Sequence, residues 1–128
     1  MATEILVNDG GAPARILPFT AGAALSGGLV CIMAADGEIE LAAVAAATNT
    51  IGVAFTDASS GNNCSIITGK GVVVNAYVSG TAASGALLQV GTTDGELAAG
   101  TTTDAGVAIM IGDDTGSATS QLAKVLLI

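Results

Sequence analysis

The sequence predicts an all-β fold: a small β-sandwich or barrel of two pseudo-repeated β-meander halves, with an extended N-terminal arm. Three observations predict it. Glycine, 18 of 128 residues, and Thr, Ser, Asn and Asp recur every few residues between short runs of Val, Ile and Leu, the pattern of short strands joined by tight turns. Two Asp-Gly pairs, Asp36-Gly37 and Asp94-Gly95, mark sharp turns, because both residues tolerate positive φ. The second half of the chain also repeats the first, block by block.

Taken in order, Glu4–Val7 and Arg15–Phe19 read as strands within an arm, residues 1–19. Pro13 and Pro18 disfavour a regular central strand there, yet Ile5-Leu6-Val7 and Ile16-Leu17 are too apolar for a loose tail. Residues 20–128 read as a single β domain with pseudo-repeats at about 26–80 and 84–128. Its expected strands are Leu29–Met33, Glu38–Leu41, Ile51–Thr56, Ser65–Thr68, Val72–Val78, Ala86–Val90, Val107–Ile111 and Leu122–Ile128. One segment competes. Leu41–Ala47 is rich in the best helix former but is short, lacks an N-cap and has no polar face, so helix and loop both stay open over 41–50.

The repeat begins at Ser26-Gly27-Gly28-Leu29-Val30 and again at Ser84-Gly85-Ala86-Leu87-Leu88. The Asp-Gly-Glu turns follow 58 residues apart (36 to 94), then Gly52-Val53-Ala54 and Gly106-Val107-Ala108, 54 apart (52 to 106). On this matching the second copy lacks about four residues, where the first carries its Ala-rich insert. A β-meander cannot cover its own apolar face, and packing two units together solves that burial problem.

Composition excludes several functions. The chain has no Trp, one Tyr and two Phe, so its core is thin and calls for neighbours, copies of itself or a larger partner. A net charge of −8 with three basic residues leaves no cationic face for DNA or RNA. There is no histidine, which removes Ser-His-Asp and Cys-His catalysis and His-bearing zinc sites. Glu38 and Glu40 share a strand face and Asp113-Asp114 are adjacent, but the aromatic platforms of a glycosidase are missing, and solvated surface charge is the better reading. Asp113–Ser117 lacks EF-hand spacing. Gly69-Lys70-Gly71 fails as a phosphate loop and lacks the neighbours of a carrier lysine; it reads as a turn or bulge. No enzyme activity, metal or cofactor is expected. Cys31 and Cys64 read as buried reduced thiols, with a disulfide open. Residues 1–15 show no secretory leader and no apolar run reaches the length of a membrane span. The Asn63-Cys64-Ser65 sequon therefore carries little meaning.

The ordered blocks resemble the capsid cement (head decoration) proteins of tailed bacteriophages. In that family a small-residue segment ending in Gly-x-Val leads through Gly-Val-Ala and a polar Ala-x-x-Gly turn to a glycine-led Val strand. The matching positions here are Ser26–Val30, Gly52-Val53-Ala54, Ala58-Ser59-Ser60-Gly61 and Gly69-Lys70-Gly71-Val72. A later Gly-x-Leu and Gly-Val-Ala are met by Gly85-Ala86-Leu87 and Gly106-Val107-Ala108. The resemblance covers about residues 20–128. It implies a non-enzymatic homotrimer on the outer capsid surface, made in the host cytoplasm, with the major capsid protein as partner and no membrane or nucleic acid contact. The alternative is another virion or cell-surface module, tail, fibre or adhesin-like. In the first reading the arm adds a strand to a neighbour's edge. Candidate contacts are then Ile5, Leu6, Val7, Ile16, Leu17 and Phe19 of the arm, with Leu41 and Val44 of the insert.

Overall fold

Short β-branched and aliphatic runs between glycine turns form strands throughout the computed structural model, which describes residues 5–8, 15–100, 105–112 and 120–128. In chain order the strands are β1 (Leu6–Asn8), β2 (Arg15–Ala21), β3 (Val30–Ala35), β4 (Glu38–Leu41), β5 (Thr50–Ala54), β6 (Asn63–Thr68), β7 (Val73–Val78), β8 (Leu87–Val90), β9 (Leu97–Ala99), β10 (Ala108–Met110) and β11 (Gln121–Leu127). Alternation places the core: along β7, Val74, Ala76 and Val78 are buried while Val73, Asn75 and Tyr77 are half-buried, the period of a strand with one face inward.

The first half closes on itself. Strands β2, β4, β3, β5 and β6 form a closed barrel in that order. The second half repeats the order as β7, β9, β8, β10 and β11, and β9 returns to β7 through the single parallel pair Val78↔Leu97. The registers match pair by pair. Leu17↔Ile66 on β2 and β6 corresponds to Val74↔Val125 on β7 and β11. Cys31↔Leu41 corresponds to Leu88↔Ala99, and Val30↔Val53 to Leu87↔Ile109. Even the ring closure is repeated: Gly22 N–H donates to Ile39 O at 2.8 Å, and Ser79 N–H to Leu97 O at 2.9 Å. The five-strand units run from 15 to 68 and from 73 to 127, joined by the turn around Gly69-Lys70-Gly71.

This register corrects the sequence matching of the two Gly-Val-Ala blocks. Gly52 lies opposite Cys31, whereas Ala108 lies opposite Leu88. The counterpart of Gly52 is therefore Ala108, two residues beyond Gly106, and the second copy is shorter by two residues there, not four. Gly52 has a reason to be glycine: its φ is +155°, and a Cβ would run into the Ile67 carbonyl and lie 2.7 Å from Ile66 Cγ2.

The Ala-rich segment is a loop, which settles the open choice at 41–50. Leu41 ends β4 and Thr50 starts β5. Between them, backbone groups bond to the second half: Gly95 N–H donates to Ala42 O and Ala46 N–H to Val90 O, each at 2.8 Å. Those tertiary bonds override the local helix preference. Ala46 takes a left-handed conformation, φ 57°.

The two halves meet asymmetrically. Val30, Ala42, Val53 and Ile67, on the outside of the barrel, are buried in one cluster with the interior of the second half, including Val74, Val78, Val90 and Leu97. The barrel interior forms a smaller cluster of Ala21, Leu25, Cys31, Ile39, Ala54, Cys64 and Ile66. Hydrogen bonds cross the seam from Val30 N–H to Gly95 O (2.8 Å) and from Tyr77 N–H to Gly28 O (2.9 Å). Gly28, at φ +94°, sits so close that a Cβ would lie 2.7 Å from Leu122 Cδ2.

Candidate interaction surfaces

Because the halves share one register, each surface can be compared with its counterpart, and the outer edges of β2 and β7 differ most. On β7 the outward groups are occupied. Asn75 N–H donates to Ile5 O at 2.7 Å and Tyr77 N–H to Gly28 O, while β1 pairs through Leu6↔Val74 and Asn8↔Val73. Among the described residues, Arg15 to Phe19 of β2 pair on one side only, with β6, because β4 joins no earlier than Thr20. The counterpart of Asn75 is Pro18, which has no N–H to offer. Side chains follow the backbone. Val74 is 0% exposed and its counterpart Leu17 is 42% exposed; Val90 is 0% and its counterpart Met33 is 40%. Leu17 and Met33, on the inward face of their strands, thus stand exposed at one end of the barrel, and Ile16 is exposed on the opposite face of β2.

A second apolar surface lies at the other end. The barrel face that is sealed by the second half, Val30, Val53 and Ile67, has counterparts Leu87, Ile109 and Leu126, which are half-buried. Ile111, on the same face as Ile109, is 42% exposed.

The expected contact residues separate into groups. Ile5 is buried and Leu6 half-buried against the chain's own core; this part of the arm adds its strand to β7 of the same chain. The Val7 side chain lies outside the described residues. Ile16 and Leu17 are exposed, and Phe19 is half-buried on the small barrel cluster. Leu41 lies in the seam, where a Cβ on Gly95 would be 3.0 Å from its Cδ2. Val44 stands on the insert loop, 69% exposed. Sequence reasoning missed Met33, Leu87, Ile109, Ile111 and Leu126. Carrying each seam residue across the repeat would have found them.

The chemistry available is limited. Cys31 and Cys64 are free and buried. Burial, and then the neighbouring Cys64, push the Cys31 thiol up to about 12 from 9.0; burial also raises Cys64. Neither is a poised thiolate. Among the described residues no group of three His, Cys, Asp or Glu side chains could hold a metal ion. A cavity of about 200 Å³ lies between the halves, lined by residues including Gly52, Lys70 and Val107. Asp113–Ser117 falls outside the described residues.

No family model and no curated protein matches the chain. Among solved structures, the N base of the head fibre protein gp8.5 of bacteriophage phi29 is similar in fold. Its TM-score is 0.68 at 13% identity, covering 91% of this chain and 95% of that one. At that identity the likeness speaks for a shared architecture across nearly the whole of both chains.

Proposed function

We propose that the chain is a non-enzymatic structural protein of a phage virion. In this reading it is a decoration protein, bound as a trimer to the outer capsid surface, where it holds neighbouring major capsid subunits together. The observation that carries the reading is the fold likeness to a phage head fibre base over nearly the full length of both chains. The ordered Gly-Val-Ala blocks of the sequence point the same way. Many modest contacts repeated over a shell add to its stability without any one being strong. The exposed Val44 of the insert loop is the contact proposed for the capsid protein. Purified protein mixed with expanded capsids that lack it should bind in fixed stoichiometry and raise the temperature at which the shells open. Absence of binding sinks the reading.

A fibre base is the second reading, favoured by the same neighbour. It predicts binding at fixed stoichiometry with no gain in shell stability, so the one experiment separates the two.

A further inference from the structure

We propose that copies of this chain associate head to tail, by repeating between molecules the contact that joins the two halves within one molecule. That internal contact uses different patches on its two sides. The barrel contributes Gly28, Val30, Ala42, Val53 and Ile67; the second half contributes Tyr77, Val90, Gly95 and Leu122. Mapped across the repeat, the first set becomes Gly85, Leu87, Gly100, Ile109 and Leu126, and the second becomes Thr20, Met33, Gly37 and Asn63. The sets do not overlap. A two-fold contact would use one patch twice; this one is heterologous, and a heterologous contact leaves one unused copy of each side.

Both unused sides are open among the described residues. Val30, Val53 and Ile67 are fully buried, while Leu87, Ile109 and Leu126 are half-buried. Val90 is buried and Met33 exposed; Gly95 is buried and Gly37 exposed. The chemistry is retained, since the barrel's aliphatic face keeps aliphatic residues at its counterparts. Charge adds a complement. Lys124, one of three basic residues, is exposed on β11 two positions from Leu126. The receiving end carries exposed Asp36, Glu38 and Glu40. Seating a neighbour there also covers the free edge of β2. If the rotation between units divides a full turn, the assembly closes as a ring; otherwise it grows as a filament.

The contact depends on the capsid reading only for the number of copies. Native mass spectrometry and light scattering of the full chain test it. The wild type should be a multimer. Met33→Glu at one end and Ile111→Glu at the other, both surface changes that leave the thermal melt in place, should each raise the midpoint concentration of assembly at least about tenfold. An equimolar mixture of the two variants has one intact end from each and should stop at a mixed dimer. A monomeric wild type, a variant that assembles like the wild type, or a mixture without mixed dimer overturns the proposal. Capsid pelleting is read separately. A monomer that still pellets with capsids removes the head-to-tail contact alone, and an assembled protein that ignores capsids removes the capsid reading alone.

Discussion

The barrel of residues 15–68 and the ring of residues 73–127 use the same strand order and register, yet they solve the same problem differently. Each has one strand whose outer edge is not paired by its own unit. On β7 that edge receives β1 and Gly28. On β2 it receives nothing among the described residues until Thr20. The difference turns on one residue type. Asn75 has an N–H that Ile5 O accepts; Pro18, at the matching place, has none. Proline is tolerated there because its missing donor faces away from β6. It also keeps an open, apolar edge from pairing indiscriminately. Two copies of one arrangement can thus be separated into a unit whose edge is paired and one whose edge is exposed by a single edge position and the placement of one short strand.

The comparison breaks most severely at Gly52 and Ala108. A side chain is accepted at 108 and refused at 52, so Gly52→Ala should lose about 3 kcal/mol of stability through strain and overlap, while Ala108→Gly loses about 1 kcal/mol. Urea unfolding of both variants checks this, and equal losses would mean the two registers are not equivalent.

Alkaline pH should loosen the barrel selectively. Its interior holds Cys31 where the second half holds Leu88. The folded Cys31 pKa is raised from 9.0 to about 12, so between those values the unfolded chain releases a proton that the folded chain keeps. Stability from this group is complete below pH 9 and declines above it, by about 1.4 kcal/mol per pH unit. Hydrogen exchange at pH 8 and pH 10.5 should show the change in β3 to β6, and Cys31→Ala should remove the part due to that thiol.

Exchanging the edge residues gives a smaller effect. Asn75→Pro deletes the bond to Ile5 and should cost about 2 kcal/mol, with residues 5–8 newly open to protease. Pro18→Asn should change stability by less than about 0.5 kcal/mol and increase association through β2. In the wild type the Ile16 amide should exchange much faster than that of Asn75.

The smallest expected change is Ala46→Gly. Glycine relieves the left-handed conformation of the insert loop, and should stabilise by up to about 1 kcal/mol, seen as a modest rise in melting temperature.

Much of the architecture was readable beforehand. The strand runs and both Asp-Gly turns appear where patterning placed them, with Gly37 and Gly95 at positive φ. The β9 strand was not, since Leu97-Ala98-Ala99 is three residues of weak β preference. The Gly-Val-Ala mismatch has a definite cause. A slip of one residue turns side chains to the wrong face, but a slip of two keeps every face correct, so hydrophobic pattern alone accepts it. The Ala-rich loop depends on Gly95 and Val90, distant in sequence and invisible to local preference. For the surfaces, Ile16 and Leu17 were legible as apolar residues in an odd place. Met33 and Ile111 were not, because their exposure follows from how the halves stack.

The position of β1 has a consequence for how the chain is made. All pairs of the barrel lie within residues 15–68, so the barrel can complete itself while the rest is still being synthesised. Residues 6–8 leave the ribosome earlier than any of it, but their partners Val73 and Val74 emerge only afterwards. A strand made before the barrel is therefore seated after it, as a clasp that fastens residues 6–8 to the second half.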